Sequence, residues 1–267
     1  MAIADIITLL LGNLVILYTA SMILWFVSLK LRDASIIDIF WGIFCALPAI
    51  LTYCRVDGTG PRDLVITLCA TAWALRLSSY LAKRNIGHGE DERYVAMRRA
   101  REAHGDFARW SLVWVFLLQA SVAFVVSLPV QVGQIGSNDE FGVLTWLGFA
   151  LFAFGLSFET IGDAQLSHFK RDPQNHGKLM DKGLWAWTRH PNYFGDACVW
   201  FGLAVMALSS PFGWMGIFSP FIMAFFLVKV SGKALLERNM SRKYGAAYDD
   251  YKKRTSGFIP LPPKKRS

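Results

Sequence analysis

The sequence predicts an all-α protein, a polytopic membrane bundle of about seven transmembrane helices, and three observations lead to this class. Hydrophobic residues make up 54% of the 267-residue chain, which is more than soluble domains usually contain. They are gathered into long apolar runs, each close to the roughly 20 residues that a helix needs to cross a bilayer. Ten Trp and 20 Phe residues suit a membrane protein with aromatic belts at both lipid–water interfaces.

Seven segments have the length and composition of a span, and a tight turn separates the last two. The run Ser209-Ser210-Pro211-Phe212-Gly213 is typical of a turn, so the sixth and seventh spans are expected to form a helical hairpin. We interpret residues 1–267 as a single integral membrane domain, with four spans in 1–135 and a second part in 142–260. The predicted spans are 5–29, 36–54, 63–82, 111–132, 142–165, 193–210 and 213–231.

The distribution of basic residues predicts the orientation in the membrane. Of the 28 Lys and Arg residues, 24 lie in loops 30–35, 83–110 and 166–192 and in the tail from residue 232. The positive-inside rule therefore puts these segments in the cytoplasm and the N-terminus outside. The net charge of +8 then reflects a cytoplasmic-face bias and not a nucleic-acid partner. Residues 1–29 lack the basic start and small-residue cleavage site of a signal peptide, so they are interpreted as a first span.

Two common kinds of site are excluded by the motifs that the chain lacks. The four cysteines, in or beside apolar segments, show neither a CxxC pair nor metal-ligand spacing, so they are interpreted as free thiols with no metal site. No GxGxxG follows a predicted strand, so a Rossmann nucleotide site is absent. A cofactor would therefore have to bind within the membrane bundle.

The stretch 183–202, GLWAWTRHPNYFGDACVWFG, combines polar groups with the start of an apolar helix. Pro191 suits the first turn of that helix, because its missing N–H removes no helical hydrogen bond there. Asn192, Asp196 and Trp200 follow at a spacing of four, which places an amide, a carboxylate and an indole on one helix face. Polar groups at the mouth of a membrane helix are costly and indicate a functional site.

The motif RHPNYFGD, together with the later run YGAAYDDYKKRTSGFIP, resembles the signature of a membrane reductase and methyltransferase superfamily. That group includes steroid 5-alpha-reductases, sterol C14 and C7 reductases and isoprenylcysteine carboxyl methyltransferases. The resemblance is specific from Leu156 to Pro260 and is closest to a bacterial branch grouped with the steroid 5-alpha-reductases. It implies an integral protein of the bacterial inner membrane.

The resemblance also implies a cofactor, NADPH, and the residues that contact it. Asp163 matches an Asp that contacts the cofactor in the steroid reductases, while Glu159 replaces their Asn. Lys170 and Arg171 either hold phosphates of the nucleotide or anchor the chain to lipid headgroups. The complete set of implied cofactor-binding residues is Arg76, Asp163, Lys170, Arg171, Arg189, His190, Asn192, Tyr193, Asp196, Trp200, Glu237, Tyr248 and Tyr251.

Two residues of the second and third spans are implied to take part in catalysis. A rough alignment puts Trp73 where the steroid reductases have a catalytic tyrosine, and an indole cannot donate a proton as a phenol does. Asp38 lies near their catalytic glutamate and is interpreted as the proton-handling carboxylate. The alternative is that Ser35 caps the second helix and that Asp38 lies in its first turn for electrostatic reasons.

Three further segments admit two interpretations each. The charged loop 87–110 is expected to include an interfacial helix, whose Arg93 and Arg98 either reach phosphate or pair with nearby carboxylates. Gln119, in the fourth span, either joins two helices or reaches a substrate. The tail from Lys233 is helical in pattern and either closes over a nucleotide through Glu237 and its tyrosines or lies on anionic lipid.

The expected function is therefore an enzyme: an NADPH-dependent reductase of a C=C bond in a lipid-soluble substrate, which is steroid-like, isoprenoid or fatty. One alternative is a membrane methyltransferase that uses S-adenosylmethionine, because that branch shares RHPxYxG and a comparable C-terminal pattern. A second alternative is a non-catalytic membrane protein in which the intramembrane charges are structural. The expected partners are the lipid bilayer and the substrate, without nucleic acid, and the oligomeric state stays open.

Overall fold

The computed structural model describes residues 1–136, 141–230 and 233–264, and within them the regular elements are helices. One isolated parallel bridge joins Thr188 and Ser256. The all-α class is thus confirmed. In chain order the α-helices are α1 (Ile3–Leu31), α2 (Ile36–Tyr53), α3 (Pro61–Asn85), α4 (Glu92–Glu102), α5 (Phe107–Ser111), α6 (Leu118–Val126), α7 (Leu128–Val132), α8 (Val143–Arg171), α9 (Leu184–Trp187), α10 (Pro191–Ala207), α11 (Ser219–Phe225), α12 (Lys233–Tyr244) and α13 (Ala246–Arg254).

Six helical segments of the described chain are long and apolar enough to cross a membrane, which supports an integral membrane protein. They are α1, α2, α3, the continuous helix Phe107–Val126, α8 and the segment Gly213–Val230. The helix predicted at 193–210 is present as α10, but it has only 17 residues. At 1.5 Å per residue it is about 26 Å long, shorter than the roughly 30 Å hydrocarbon core. The last predicted span extends to Ser231, which lies outside the described residues.

The chain divides into two compact units, and the first comprises Met1–Thr145 and Leu203–Ser219. Its buried helix surfaces carry polar side chains that bond to one another. The Asn13 amide donates to the Thr52 hydroxyl at 2.9 Å and to the Gln131 carbonyl at 3.0 Å. Arg62 donates to the Gly133 carbonyl at 2.9 Å and to Asp63 at 3.2 Å. Such bonds between apolar helices offset the cost of burying polar groups and join the helices.

The helix predicted in loop 87–110 is present as α4, and carboxylates connect it to the start of α2. Asp91 caps α4 by accepting from the Arg93 N–H. The Glu90 carboxylate accepts two bonds from Arg98, each at 2.8 Å, and one from the Ala34 N–H at 2.7 Å. Burial alone would raise the pKa of Glu90, but these bonds outweigh burial and lower it. Arg98 therefore pairs with a neighbouring carboxylate, which is the second of its two interpretations.

The second unit comprises Trp146–Gly202 and Pro220–Ser267, and glycines bring α8 and α10 into backbone contact. A Cβ atom on Gly195 would lie 2.5 Å from the Glu159 nitrogen, and one on Gly202 would lie 2.5 Å from the Phe152 nitrogen. A Cβ on Gly155 would lie 2.6 Å from the Gly195 carbonyl oxygen. Small residues at seven-residue intervals thus let two membrane helices approach more closely than larger side chains permit.

The tail forms two helices where the sequence pattern indicated one. Gly245 has φ of 53°, a left-handed conformation that glycine adopts without strain, and it separates α12 from α13. The segment after α13, residues 255–264, then lies along the loop that precedes α10. Its Ser256 carbonyl accepts from the Arg189 N–H at 2.9 Å, and its Leu261 N–H donates to the Trp187 carbonyl at 3.0 Å. We refer to residues 255–264 as the C-terminal strap.

Candidate functional site

The loop before α10 is organised by an ionic cluster of Arg189, His190 and Glu237. The Arg189 guanidinium donates twice to one Glu237 oxygen, at 2.8 and 2.9 Å. It also donates to the Thr255 carbonyl at 2.7 Å, so it joins the loop, α12 and the C-terminal strap. The His190 Nε2 atom lies 3.2 Å from the same Glu237 oxygen. The Tyr193 ring stacks on the His190 ring with centroids 5.5 Å apart.

Burial and charge shift the titration of this cluster in defined directions. Burial lowers the pKa of His190 more than its hydrogen bond to Glu237 raises it, which favours the neutral imidazole. Burial would raise the pKa of Glu237, but the hydrogen bonds from His190 and Arg189 lower it to about 2. The cluster is therefore an ion pair beside a neutral imidazole. Its arginine, predicted to bind the cofactor, is occupied by protein acceptors.

The polar face predicted for α10 is present and meets a carboxylate of α8. Asn192 Nδ2 donates to Asp163 Oδ1 at 3.2 Å. Asp196, one turn further along α10, is 6% exposed, and Glu159, one turn before Asp163, is 3% exposed. Trp200 is fully buried at the next turn. Unit 2 thus concentrates three buried carboxylic groups, an amide and an indole on two glycine-packed helices.

The remaining predicted cofactor residues of unit 2 lie at the ends of helices and in the tail. Lys170 and Arg171 are exposed at the C-terminal end of α8. Tyr248 and Tyr251 are each 2% exposed on α13, and the Tyr251 hydroxyl donates to the Trp185 carbonyl. These tyrosines pack within the unit, so burial of their rings attaches the tail to the loop.

Three predicted residues, Asp38, Trp73 and Arg76, belong to unit 1. Asp38 lies in the first turn of α2, and Ser35 at the N-cap donates to Asp33 instead of capping the helix with its side chain. Trp73 is fully buried in α3 and makes an edge contact with Trp41 at 6.1 Å. Arg76 is half-buried one turn further along α3.

The structure adds Tyr94, which no sequence pattern had indicated. The Asp38 carboxylate accepts from the Tyr94 phenol at 2.7 Å and from Arg93 at 2.8 Å. Tyr94 is 5% exposed, and Gln119 Nε2 donates to its oxygen at 3.4 Å. Gln119 therefore does join two helices, as one of its interpretations required. Tyr94 lies three residues after Asp91, the residue that caps α4. This position in the first turn of a helix is the sequence feature that could have indicated a side chain with a fixed position.

The donor and acceptor set of unit 2 fits a nicotinamide nucleotide. Buried carboxylates accept hydrogen bonds from ribose hydroxyls, and an asparagine amide offers both a donor and an acceptor. The exposed cations at the end of α8 suit phosphate. The same carboxylates also suit a positively charged ligand such as a sulfonium, because opposite charge offsets the cost of burying a carboxylate.

A family profile with the description Protein of unknown function (DUF1295) matches residues 24–255. The chain is 29% identical over 148 residues to Delta(14)-sterol reductase LBR of Gallus gallus, which covers 52% of this chain and 22% of that protein. It is 44% identical over 46 residues to the protein named "Probable O-methyltransferase ustE" of Ustilaginoidea virens, which covers 17% of this chain and 16% of that protein.

The chain therefore matches about a fifth of the length of these curated relatives. The sterol reductase and the methyltransferase are the same two enzyme classes that the RHPNYFGD motif indicated. No solved structure matches the chain.

Proposed function

Because the chain belongs to the family described as Protein of unknown function (DUF1295), part of the steroid 5-alpha-reductase-like superfamily, we propose that it is a membrane-embedded reductase. It uses NADPH to reduce a C=C bond in a lipid-soluble substrate that is steroid-like, isoprenoid or fatty. The protein lies in the bacterial inner membrane, with the N-terminus outside and the C-terminus in the cytoplasm. This orientation requires α10, which has the 17 residues of the shortest spans, to cross the bilayer in addition to the six longer segments.

The observation that carries the proposal is the contact between Asn192 and Asp163 at 3.2 Å. It joins the start of α10, within the RHPNYFGD motif, to α8. Asp196 and Trp200 continue the same face into the apolar part of the helix. We assign this face to the ribose and nicotinamide of the nucleotide, and Lys170 and Arg171 to its phosphates.

The bound nucleotide supplies a hydride, and the protein has to bind it, orient it, exclude water and handle a proton. Asp38 was predicted to handle that proton. In the pair that it forms, the proton resides on the Tyr94 phenol, because Asp38 also accepts from the cationic Arg93. Burial, reinforced by the Asp38 charge, raises the pKa of Tyr94. We therefore place the proton of this pair on Tyr94, whose phenol Asp38 holds in position. Trp73, whose ring contacts Trp41, has no acidic proton to donate.

Native mass spectrometry of the detergent-purified protein tests the proposal directly. We expect a co-purifying mass equal to NADPH or NADP⁺, released when the protein unfolds. Retention of S-adenosylmethionine or S-adenosylhomocysteine would instead establish a methyltransferase. A protein that retains neither ligand, and binds neither when they are added, would contradict both enzymatic functions and favour a non-catalytic role.

Changing Asp196 to Asn should weaken nucleotide binding and leave the fold intact. The substitution is nearly isosteric but removes a charge that strengthens hydrogen bonds from the ligand. A hydrogen bond to a charged group is worth about 1.5–3 kcal/mol, so the dissociation constant should rise roughly ten- to hundredfold. Calorimetry measures the affinity, and the melting temperature of the ligand-free protein is the control. A large loss of melting temperature with unchanged affinity would show that Asp196 holds the fold.

Lys170 and Arg171 are expected to select NADPH over NADH. Changing both to Ala removes the positive charge that a 2′-phosphate needs, so binding of NADPH should weaken at least tenfold more than binding of NADH. Titration of both nucleotides into the double variant measures this ratio. Equal weakening would show that the two cations serve the shared pyrophosphate or the lipid surface.

The methyltransferase remains a second candidate because of one specific observation. The match to the methyltransferase relative has the higher sequence identity, 44% over 46 residues, against 29% over 148 residues for the sterol reductase. The buried carboxylates Glu159, Asp163 and Asp196 would suit the sulfonium of S-adenosylmethionine. Asn192 and Asp196 of the NYFGD run favour the nucleotide, since this pair resembles the sterol and steroid reductases more than the methyltransferases.

The proposed orientation can be tested with the native cysteines. Cys54 is exposed at the end of α2, whereas Cys45 and Cys69 are buried. A membrane-impermeant maleimide should therefore label Cys54 in intact cells. In a Cys54→Ser background, a cysteine at the exposed Lys253 should be labelled only after the membrane is opened. Labelling of both positions from the same side would contradict the topology.

A further inference from the structure

The helices of unit 1 form a cleft. It encloses about 270 Å³ and is lined by Tyr94, Met97, Trp110, Trp114, Val115 and Gln119. One wall is α4, and the other is the helix Phe107–Val126. Four of the six lining residues are aromatic or Met side chains, and the remaining polar contribution comes from Gln119 and the Tyr94 hydroxyl. An apolar cleft with few polar groups is the usual form of a small-molecule site.

The wall formed by Phe107–Val126 departs from regular α-helix where it borders the cleft. Residues Leu112–Leu117 form a π-helix, and this segment contributes Trp114 and Val115 to the lining. The wider π turn is rare and is frequently found at functional sites. At the other end of the wall, the Arg101 guanidinium lies over the Trp110 ring, 5.1 Å from its centroid. The indole is thereby held beside α4.

The open side of the cleft faces away from the packed interior. Trp114 is 59% exposed, and the adjacent Val113 and Leu118 are 49% and 47% exposed. These residues belong to a helix that is long and apolar enough to span the bilayer. An exposed apolar surface on such a helix contacts lipid chains. A ligand with its polar end in the cleft would therefore extend its apolar part along this surface.

The Tyr94 hydroxyl and the Gln119 amide form the polar floor of the cleft, which has a limited set of hydrogen-bonding positions. The Tyr94 hydroxyl donates to Asp38 and accepts from Gln119, which leaves its oxygen one further acceptor position. Gln119 retains its carbonyl oxygen and one N–H within the part of the chain that the structure describes. The floor thus offers two acceptor positions and one donor.

We propose that this cleft binds the hydroxyl end of a lipid alcohol. A hydroxyl both donates and accepts, so it can satisfy the Gln119 N–H and one of the two oxygens. A carboxylate only accepts, so it would place its charge against two acceptor oxygens. An alkane would leave the Gln119 amide without a partner, which is costly in an apolar cleft. This cleft shares Tyr94 with the proposed reductase, but lipid-alcohol binding is tested without nucleotide, so its outcome does not depend on nucleotide binding in unit 2.

Photoaffinity labelling in phosphatidylcholine nanodiscs, without added nucleotide, tests this inference. The probe is a long-chain alcohol with a mid-chain diazirine, and mass spectrometry locates its adducts. Labelling of Met97, Trp110 and Trp114 should be saturable. Unlabelled 1-dodecanol should compete at least tenfold better than dodecane or dodecanoate at the same concentration in the membrane. Even, non-saturable labelling of all lipid-facing helices, or equal competition by dodecane or dodecanoate, would overturn the proposal.

Two variants and a matched control assign the effect to the floor of the cleft. Gln119→Leu and Tyr94→Phe each remove a polar contact, so each should reduce saturable labelling about tenfold. Leu118→Ala changes the exposed neighbour of Gln119, which does not line the cleft, and should leave labelling unchanged. The melting temperature shows whether each variant is folded, and the conclusion requires only one folded floor variant. Unchanged labelling in a folded floor variant would contradict the proposal.

Discussion

Replacing Gly195 with Ala is expected to destabilise the protein by about 3 kcal/mol, the upper part of the range for overpacking. The added Cβ would lie 2.5 Å from the Glu159 nitrogen and 2.7 Å from the Gly155 carbonyl oxygen. Both neighbours are backbone atoms, so α8 and α10 must separate along their contact. For a chain of this size the melting temperature should fall by about 6–12 °C, which thermal unfolding in detergent measures.

Gly142→Ala is the matched control for this substitution. Gly142 lies just before α8, and an added Cβ would meet nothing within 4 Å. Its effect should stay within about 0.5 kcal/mol, as for other exposed positions. If Gly195→Ala and Gly142→Ala shift the melting temperature equally, the close contact between α8 and α10 is not what stabilises unit 2.

Changing Glu237 to Gln should also strongly lower the folding stability, because it leaves Arg189 without its carboxylate partner. The Arg189 side chain is 11% exposed, and it donates twice to Glu237. Removing one partner of a buried ion pair costs about 3–5 kcal/mol, and partial exposure of Glu237 favours the lower figure. Thermal unfolding at pH 7 measures the loss. Asp249→Asn, an exposed carboxylate on the same tail that pairs with Lys252, should cause no measurable change.

The pH dependence of stability provides an independent check on this cluster. The pKa of Glu237 is lowered from 4.5 to about 2, so its contribution is complete above pH 4.5 and disappears as the pH falls toward 2. The pKa of His190 is also lowered, so its contribution is complete above pH 6.5 and declines on acidification. The wild type should therefore lose stability as the pH falls. If the Glu237→Gln variant lost as much folding stability as the wild type between pH 4.5 and 2, Glu237 would not be the group responsible for that loss.

Local sequence patterns predicted the helices and one face of the candidate site. Hydropathy indicated the long helices because a span must be apolar over its whole length. Pro191 marked the start of α10, and the spacing of four placed Asn192, Asp196 and Trp200 on one face of it. The family resemblance implied that Asn192 and Asp163 both contact the cofactor, but their direct contact was not predicted. The predicted features depend on residues that are close in the chain or on a shared motif.

Features that depend on distant pairs were not predicted. Tyr94 bonds to Asp38 across 56 positions, and no local pattern identifies that partner. Glu237 bonds to Arg189 across 48 positions, so an expected cofactor ligand turned out to be occupied by the protein. The seven-residue spacing of the glycines is visible in the sequence, but which helix they pack against is a tertiary property. The end of α10 was not predicted either, because the predicted helix extends to residue 210 whereas α10 ends at Ala207.

The C-terminal strap has a consequence for the order in which the protein is made. Thr188 donates to the Phe258 carbonyl, and these residues are 70 positions apart. At 5–20 residues per second, translation of the intervening chain takes about 4–14 s. During that interval the RHPNY loop has been synthesised, but Thr255 and Ser256, whose carbonyl groups accept hydrogen bonds from Arg189, have not yet been translated. The loop is therefore completed only after residue 258 has been translated, and a ribosome stalled before that point would hold a chain with its helices inserted and its loop unassembled.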